Sequence, residues 1–261
     1  RPHLAHRLWR APVTPAAEIV VVPDAAALAE EAARRFAALA QAAAAARGRF
    51  SATLSGGSTP GALYRLLSAD PYRAQIPWSQ VHLFWADERC VPPDDPSSNY
   101  RLVAETLLAG APIPPQNVHR MRGEWEPECA ARDYERTLRA FFRGGLPRFD
   151  LALLGLGKDG HTASLFPDAD TLAETARWAV PAAAEYEDRP AWRVTLTTPA
   201  LNAARHVIFL VSGAEKAPVV QTVLTDEQEH LPAQRVRPTA GKLVWLLDAA
   251  AAGPFAFQIC K

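Results

Sequence analysis

The chain has 261 residues, 49% of them hydrophobic and 21% charged, and its 28 basic side chains balance 28 acidic ones. That length and apolar fraction predict one globular domain, while the zero net charge excludes a large sequence-independent affinity for nucleic acid or an anionic membrane and leaves a localised anion site open. Cys90, Cys129 and Cys260 are widely spaced without a C-x-x-C pair, which argues against a disulfide framework or cysteine zinc site and for a reducing, cytoplasmic setting; no apolar run reaches the roughly 18 residues of a membrane span.

Residues 1–17 carry three arginines, two histidines and three prolines but no acid and no serine. They read as a loose terminal tail ahead of a single domain over 18–261, since a transit peptide is normally serine-rich. EIVVV (Glu18–Val22) predicts a first strand, and Asp24 caps an alanine-rich helix that runs to Arg47. Further strands are expected at Phe50–Leu54, Val81–Ala86, Leu151–Leu154, Arg193–Thr197, His206–Val211 and Leu243–Asp248, with helices at Pro60–Leu67, Tyr100–Leu108, Pro127–Phe142 and Glu215–Leu224. Alternating strands and helices predict an α/β fold with a doubly wound, mostly parallel sheet and helices on both faces. Near-continuous apolar strands such as Val207–Val211 agree, because such a sheet is covered on both sides. Pro92–Pro96 and Pro112–Pro115 read as loops, and Ala182–Pro190 as a polar surface excursion.

Four segments carry candidate chemistry, and each follows a predicted strand. Gly155-Leu-Gly-Lys-Asp-Gly-His161 places a cation, a carboxylate and a base, Lys158, Asp159 and His161, on one glycine-rich loop. It satisfies G-x-G-x-x-G, but Pro167 interrupts any sustained helix and no acid stands about 20 residues on, so a nicotinamide site is not expected. Ser55-Gly56-Gly57-Ser58-Thr59-Pro60 combines backbone N–H groups, hydroxyls and a helix start, the arrangement that binds phosphate. Trp85-Ala-Asp87-Glu-Arg89 leads to Ser98-Asn99-Tyr100, and Val211-Ser-Gly213-Ala-Glu-Lys216 offers a lysine at a helix start. Singly, the last two read as solvated charges. A parallel sheet brings all four loops to one edge, which favours a shared site. No H-x-H or H-E-x-x-H pair occurs, so no metal is expected, and no G-x-S-x-G elbow presents a serine nucleophile. Water activated by a base is the simpler chemistry.

In order along residues 18–252, SGGSTP, WADERCVPPDDPSSNY, FDLALLGLGKDGHTASLFP, VSGAEK, PAQRV and GKLVWLLDAAA resemble the 6-phosphogluconolactonase family, within the superfamily that also holds glucosamine-6-phosphate deaminase. The deaminase branch follows its D-G-H with isoleucine and an asparagine-glutamate pair; here Thr162-Ala-Ser-Leu-Phe-Pro167 follows, which favours the lactonase. The resemblance implies cofactor-free hydrolysis of 6-phospho-D-glucono-1,5-lactone to 6-phosphogluconate in the oxidative pentose phosphate pathway. It implies His161 as the base that activates water and Asp159 as its orienting partner. Arg89 and Lys216 are expected to share the phosphate and the oxyanion with Ser55–Thr59, and Asp87, Asn99, Lys158 and Gly213 complete the substrate-binding set. A monomer or weak homo-oligomer is expected, with no macromolecular partner. A same-fold isomerase or deaminase and a non-catalytic sugar-phosphate sensor are the alternatives.

Overall fold

The computed structural model describes residues 17–143, 145–184, 190–226, 228 and 230–255; the predicted tail, the middle of the 182–190 excursion and Cys260 lie outside them. The strands are β1 (Glu18–Val22), β2 (Phe50–Leu54), β3 (Val81–Trp85), β4 (Asp87–Arg89), β5 (Val118–His119), β6 (Leu151–Leu154), β7 (Ala179–Ala183), β8 (Trp192–Leu196), β9 (His206–Val211) and β10 (Lys242–Asp248). The α-helices are α1 (Ala25–Arg47), α2 (Ser58–Leu67), α3 (Tyr72–Gln75), α4 (Asn99–Val103), α5 (Pro127–Phe142), α6 (Thr198–Asn202), α7 (Ala217–Thr225) and α8 (Ala249–Ala252).

A seven-stranded parallel sheet runs in the order β1-β10-β9-β6-β2-β3-β5. Every residue of β2 and β6 at its centre is buried, as near-continuous apolar strands require. Alternation along β2 and β3 sorts the covering helices. Phe50 faces α1, where Phe36 meets it edge-on at 5.2 Å. The opposite face presents His82 and Phe84 to Phe141 of α5, with ring centroids 4.9 and 5.0 Å apart. Helices therefore cover both faces. The start of α1 follows the expected local rule: Asp24 Oδ1 accepts a hydrogen bond from Ala27 N at 2.8 Å, satisfying one of the donors that a helix start leaves open.

Winding goes outward from β2 to β3 and β5, then returns to β6 on the other side of β2 and continues to β9 and β10. The order reverses between β2 and β6, so the loops after these strands diverge and open a crevice at their carboxyl ends.

Three expectations are corrected. The segment Asp87–Arg89, read as a loop, is strand β4, and with β8 and β7 it builds a second, three-stranded antiparallel sheet. Its residues are too few and too polar to show strand periodicity. The helix expected at Tyr100–Leu108 is α4 followed by a π-helical turn over Ala104–Leu108. The helix expected from Glu215 begins as a 3-10 turn at Ala214–Lys216 and becomes α-helical at Ala217, where Pro218 fits the first turn because its missing N–H has no helical acceptor there.

Candidate active site

The crevice at the β2/β6 reversal holds about 200 Å³ and is lined by Ser55, Gly56 and Gly57 after β2, Asp87 and Arg89 of β4, Asn99, the loop residues Gly155–Gly157 and His161–Ala163 after β6, Arg193 of β8, and Lys216. All four candidate segments thus reach one cleft. Ser58, Thr59, Lys158, Asp159 and Gly213 do not line it; Lys158 and Asp159 are exposed, and Gly213 N turns to the Asp248 carboxylate at 3.2 Å.

Behind the His161 ring that lines the cleft, Asp159 Oδ1 lies 2.5 Å from His161 Nδ1 and also accepts from His161 N at 3.2 Å. A carboxylate can only accept, so Nδ1 carries a proton, and in the neutral ring Nε2 is then the nitrogen with the lone pair. The loop closes on itself through Gly157 N to His161 O at 2.8 Å. Position 157 has to be glycine for this: a Cβ there would lie 2.1 Å from His161 Nδ1 and 2.5 Å from Asp159 Oδ1. Phe166 flanks the imidazole with ring centroids 5.0 Å apart.

The stretch after His161 is pinned to the second sheet. Thr162 Oγ1 donates to Gly155 O at 2.8 Å, Ser164 Oγ donates to Asp87 Oδ2 at 2.6 Å, and Ser164 N donates to Thr195 Oγ1 at 3.1 Å. Between them Ala163 is held at φ 49°, a left-handed conformation that costs a residue with a Cβ roughly 1–2 kcal/mol and places its backbone in the cleft wall.

Period-two alternation along β4 turns Asp87 and Arg89 toward the cleft and Glu88 away from it. Glu88 is buried and accepts from Arg89 N, Asn99 N and Tyr100 N, each at 2.7 Å, and from Ser98 Oγ at 3.0 Å. Burial pushes its carboxyl above the usual range against the pull of those backbone donors. This one side chain fastens the start of α4 to β4. Asn99 is thereby placed so that its amide donates to Asp87 O at 2.9 Å while its Oδ1 packs against Gly56, where an added Cβ would come within 1.9 Å of it.

Three cations border the cleft. Arg89 Nη1 donates to Ser97 O at 2.6 Å, and its buried Nε has no hydrogen-bond partner among the described residues. Lys216 Nζ donates to Leu156 O at 2.8 Å, which ties the start of the α7 segment to the β6 loop. Arg193 is buried and lies 5.7 Å from the Phe166 ring centroid. Arg193 and Glu88 escaped the sequence reading. An arginine inside a strand carries no motif, and Glu88 was visible only as one member of a charged run. Asp87 is the sole carboxylate lining the cleft, so the cleft suits an anionic ligand. Among the described residues no group of three or more His, Cys, Asp or Glu could hold a metal ion, and no helix is long and apolar enough to cross a membrane.

Residues 23–245 match the family described as glucosamine-6-phosphate isomerases/6-phosphogluconolactonase. The human 6-phosphogluconolactonase is 45% identical over 210 residues, 79% of this chain and 81% of that protein. The 6-phosphogluconolactonase of Haemophilus influenzae is 38% identical over 206 residues, 76% of this chain and 84% of its own length. Among solved structures, 6-phosphogluconolactonase from Trypanosoma brucei superposes with a TM-score of 0.81 at 30% identity, covering 91% of this chain and 98% of that one.

Proposed function

The chain belongs to the glucosamine-6-phosphate isomerase/6-phosphogluconolactonase family, and from that premise we propose that it hydrolyses 6-phospho-D-glucono-1,5-lactone to 6-phosphogluconate in the oxidative pentose phosphate pathway, with His161 activating water and no metal taking part. The observation that carries this reading is the Asp159–His161 pair set beside a cleft bordered by Arg89, Arg193 and Lys216.

Each step follows from one of these groups. Nε2 of neutral His161 takes a proton from water as the water oxygen bonds to the lactone carbonyl carbon, and Asp159 stabilises the imidazolium that forms. The carbonyl π electrons move onto oxygen, where the cations and the Gly56–Gly57 backbone offset the developing charge. The tetrahedral intermediate collapses, the bond from carbon to the ring oxygen breaks, and that oxygen takes the proton held on His161. The resulting carboxylic acid ionises and the enzyme is unchanged. The phosphate grip supplies binding energy that positions the carbonyl against the water. A cytoplasmic location is proposed with this activity, supported by the free thiols of Cys90 and Cys129.

The test is to generate the lactone fresh with glucose-6-phosphate dehydrogenase and follow 6-phosphogluconate, with and without EDTA. A rate well above spontaneous hydrolysis, unchanged by the chelator, is expected. A rate equal to the spontaneous one overturns the assignment, and loss of rate with EDTA overturns the metal-free chemistry.

A further inference from the structure

At the opposite edge of the parallel sheet, where β6, β9 and β10 begin and α1 ends, lies a separate open cavity of about 600 Å³. That volume falls within the usual range for small-molecule sites. Its polar wall is built by Arg47, Arg148, Arg205, His206 and Lys242 around one carboxylate, Asp150. Alanine and leucine side chains of α1 form the other wall.

The charges do not balance. Asp150 is buried and its oxygens are already engaged: Oδ2 accepts from Ser51 N at 2.8 Å and Ser51 Oγ at 3.0 Å, and Oδ1 accepts from Arg47 Nη2 at 2.6 Å. One carboxylate is thus shared between Arg47 and Arg205 and leaves Arg148 and Lys242 without it. Arg205 Nε stands 3.4 Å from the same Oδ1, and that buried nitrogen makes no hydrogen bond among the described residues. Among the described residues, the Arg148 side chain hydrogen-bonds only a carbonyl, Ala240 O, at 3.0 Å. Burial first, then the neighbouring Arg148 and Arg47, hold the Arg205 guanidinium below its ordinary pKa, with Asp150 pulling the other way. His206 Nδ1 donates to Asp150 O at 3.1 Å, which leaves its other nitrogen as a potential second donor if an anion draws a proton onto the ring.

We propose that this cavity is a second anion site, distinct from the catalytic cleft, that takes a small phosphoryl-bearing molecule through Arg148, Arg205 and Lys242. Guanidinium forks match phosphoryl oxygens bidentately. A nucleic acid is not the occupant, because the chain is neutral overall and this excess is confined to one cavity rather than spread as a stripe.

The probe is inorganic pyrophosphate, titrated at low ionic strength into the full chain while backbone amide resonances are followed. Saturable shifts at Arg148, Arg205, Gly241 and Lys242 are expected. Arg148→Gln should weaken that binding by about tenfold, the order of one charge-assisted hydrogen bond, and Lys242→Glu by at least as much. Both positions are exposed and remote from the cleft, so both variants should keep the wild-type lactone hydrolysis rate, which also reports that they fold. Shifts confined to the Gly56–Gly57 and Gly157 loops, or affinities equal in wild type and both variants, would overturn the proposal. Because the readout is local binding, its failure leaves the lactonase assignment standing, and the reverse also holds.

Discussion

His161 and the His82–His119 pair put the same side chain into opposite surroundings. His161 sits in a polar cleft with a carboxylate 2.5 Å from Nδ1 and side-chain exposure of 22%. His82 and His119 stack on each other with centroids 5.6 Å apart, His119 stacks on Phe84 at 4.4 Å, and their ring nitrogens approach to 3.3 Å. Burial holds both rings below the ordinary imidazole value, His119 at about 4, with Arg49 lowering His82 further and His82 lowering His119. Two neutral histidines packed among phenylalanines behave as core. One histidine on a glycine loop with an acid behind it is equipped to move a proton. Partner atoms, not residue type, separate the two roles.

The sharpest way to break that contrast is to disturb the cleft without touching its histidine. Gly157→Ala forces a methyl group to within 2.1 Å of His161 Nδ1, so the ring must leave its carboxylate; kcat should fall by roughly 10²-fold or more, as misplacement of a reacting group does. Steady-state kinetics with thermal melting would check it, and an unchanged kcat in a folded variant would mean that the ring position is irrelevant. Lys216→Ala comes next. It should raise KM about tenfold through a lost phosphate contact while kcat moves less, and an unchanged KM would remove Lys216 from the phosphate site. His119→Phe should have the smallest effect and only on stability. In the folded chain His119 titrates at about 4, below the roughly 6.5 of an unfolded chain. Its neutral ring thus contributes stability that is fully present above pH 6.5 and is lost as pH falls through 4. Urea midpoints at pH 7 and pH 5 should differ less in His119→Phe than in wild type, with activity at neutral pH retained. An equal difference would assign the acid sensitivity elsewhere.

Much of this was legible in the residues because local and global signals agree where the chain is most buried. β1, β2, β6, β9 and α5 occupy the segments expected from apolar runs and capping, and the loops that follow the parallel strands converge on one edge in a cleft that gathers Ser55, Asp87, Arg89, Asn99, His161 and Lys216. What escaped was short or pairwise. β4 has three residues, all polar, and β5 has two residues in all, too few for periodicity. β7 carries Pro181 inside the strand, which it tolerates at the edge of the antiparallel sheet. Glu88 and Arg193 matter through partners distant in sequence, Asn99 and Tyr100 for one and the β6-loop cleft for the other, and no spacing rule encodes such partners. Lys158, expected in the binding set, is exposed and does not line the cleft, because sequence proximity to Asp159 and His161 does not determine direction.

The central claim is that His161, oriented by Asp159, is the base. Its most direct test compares wild type with His161→Ala on freshly generated 6-phosphogluconolactone at neutral pH, with spontaneous hydrolysis subtracted. The account predicts that kcat falls by roughly 10²–10⁴, the usual worth of one general base, while product phosphate affinity stays close to wild type. A His161→Ala protein that hydrolyses the lactone at the wild-type rate would contradict it.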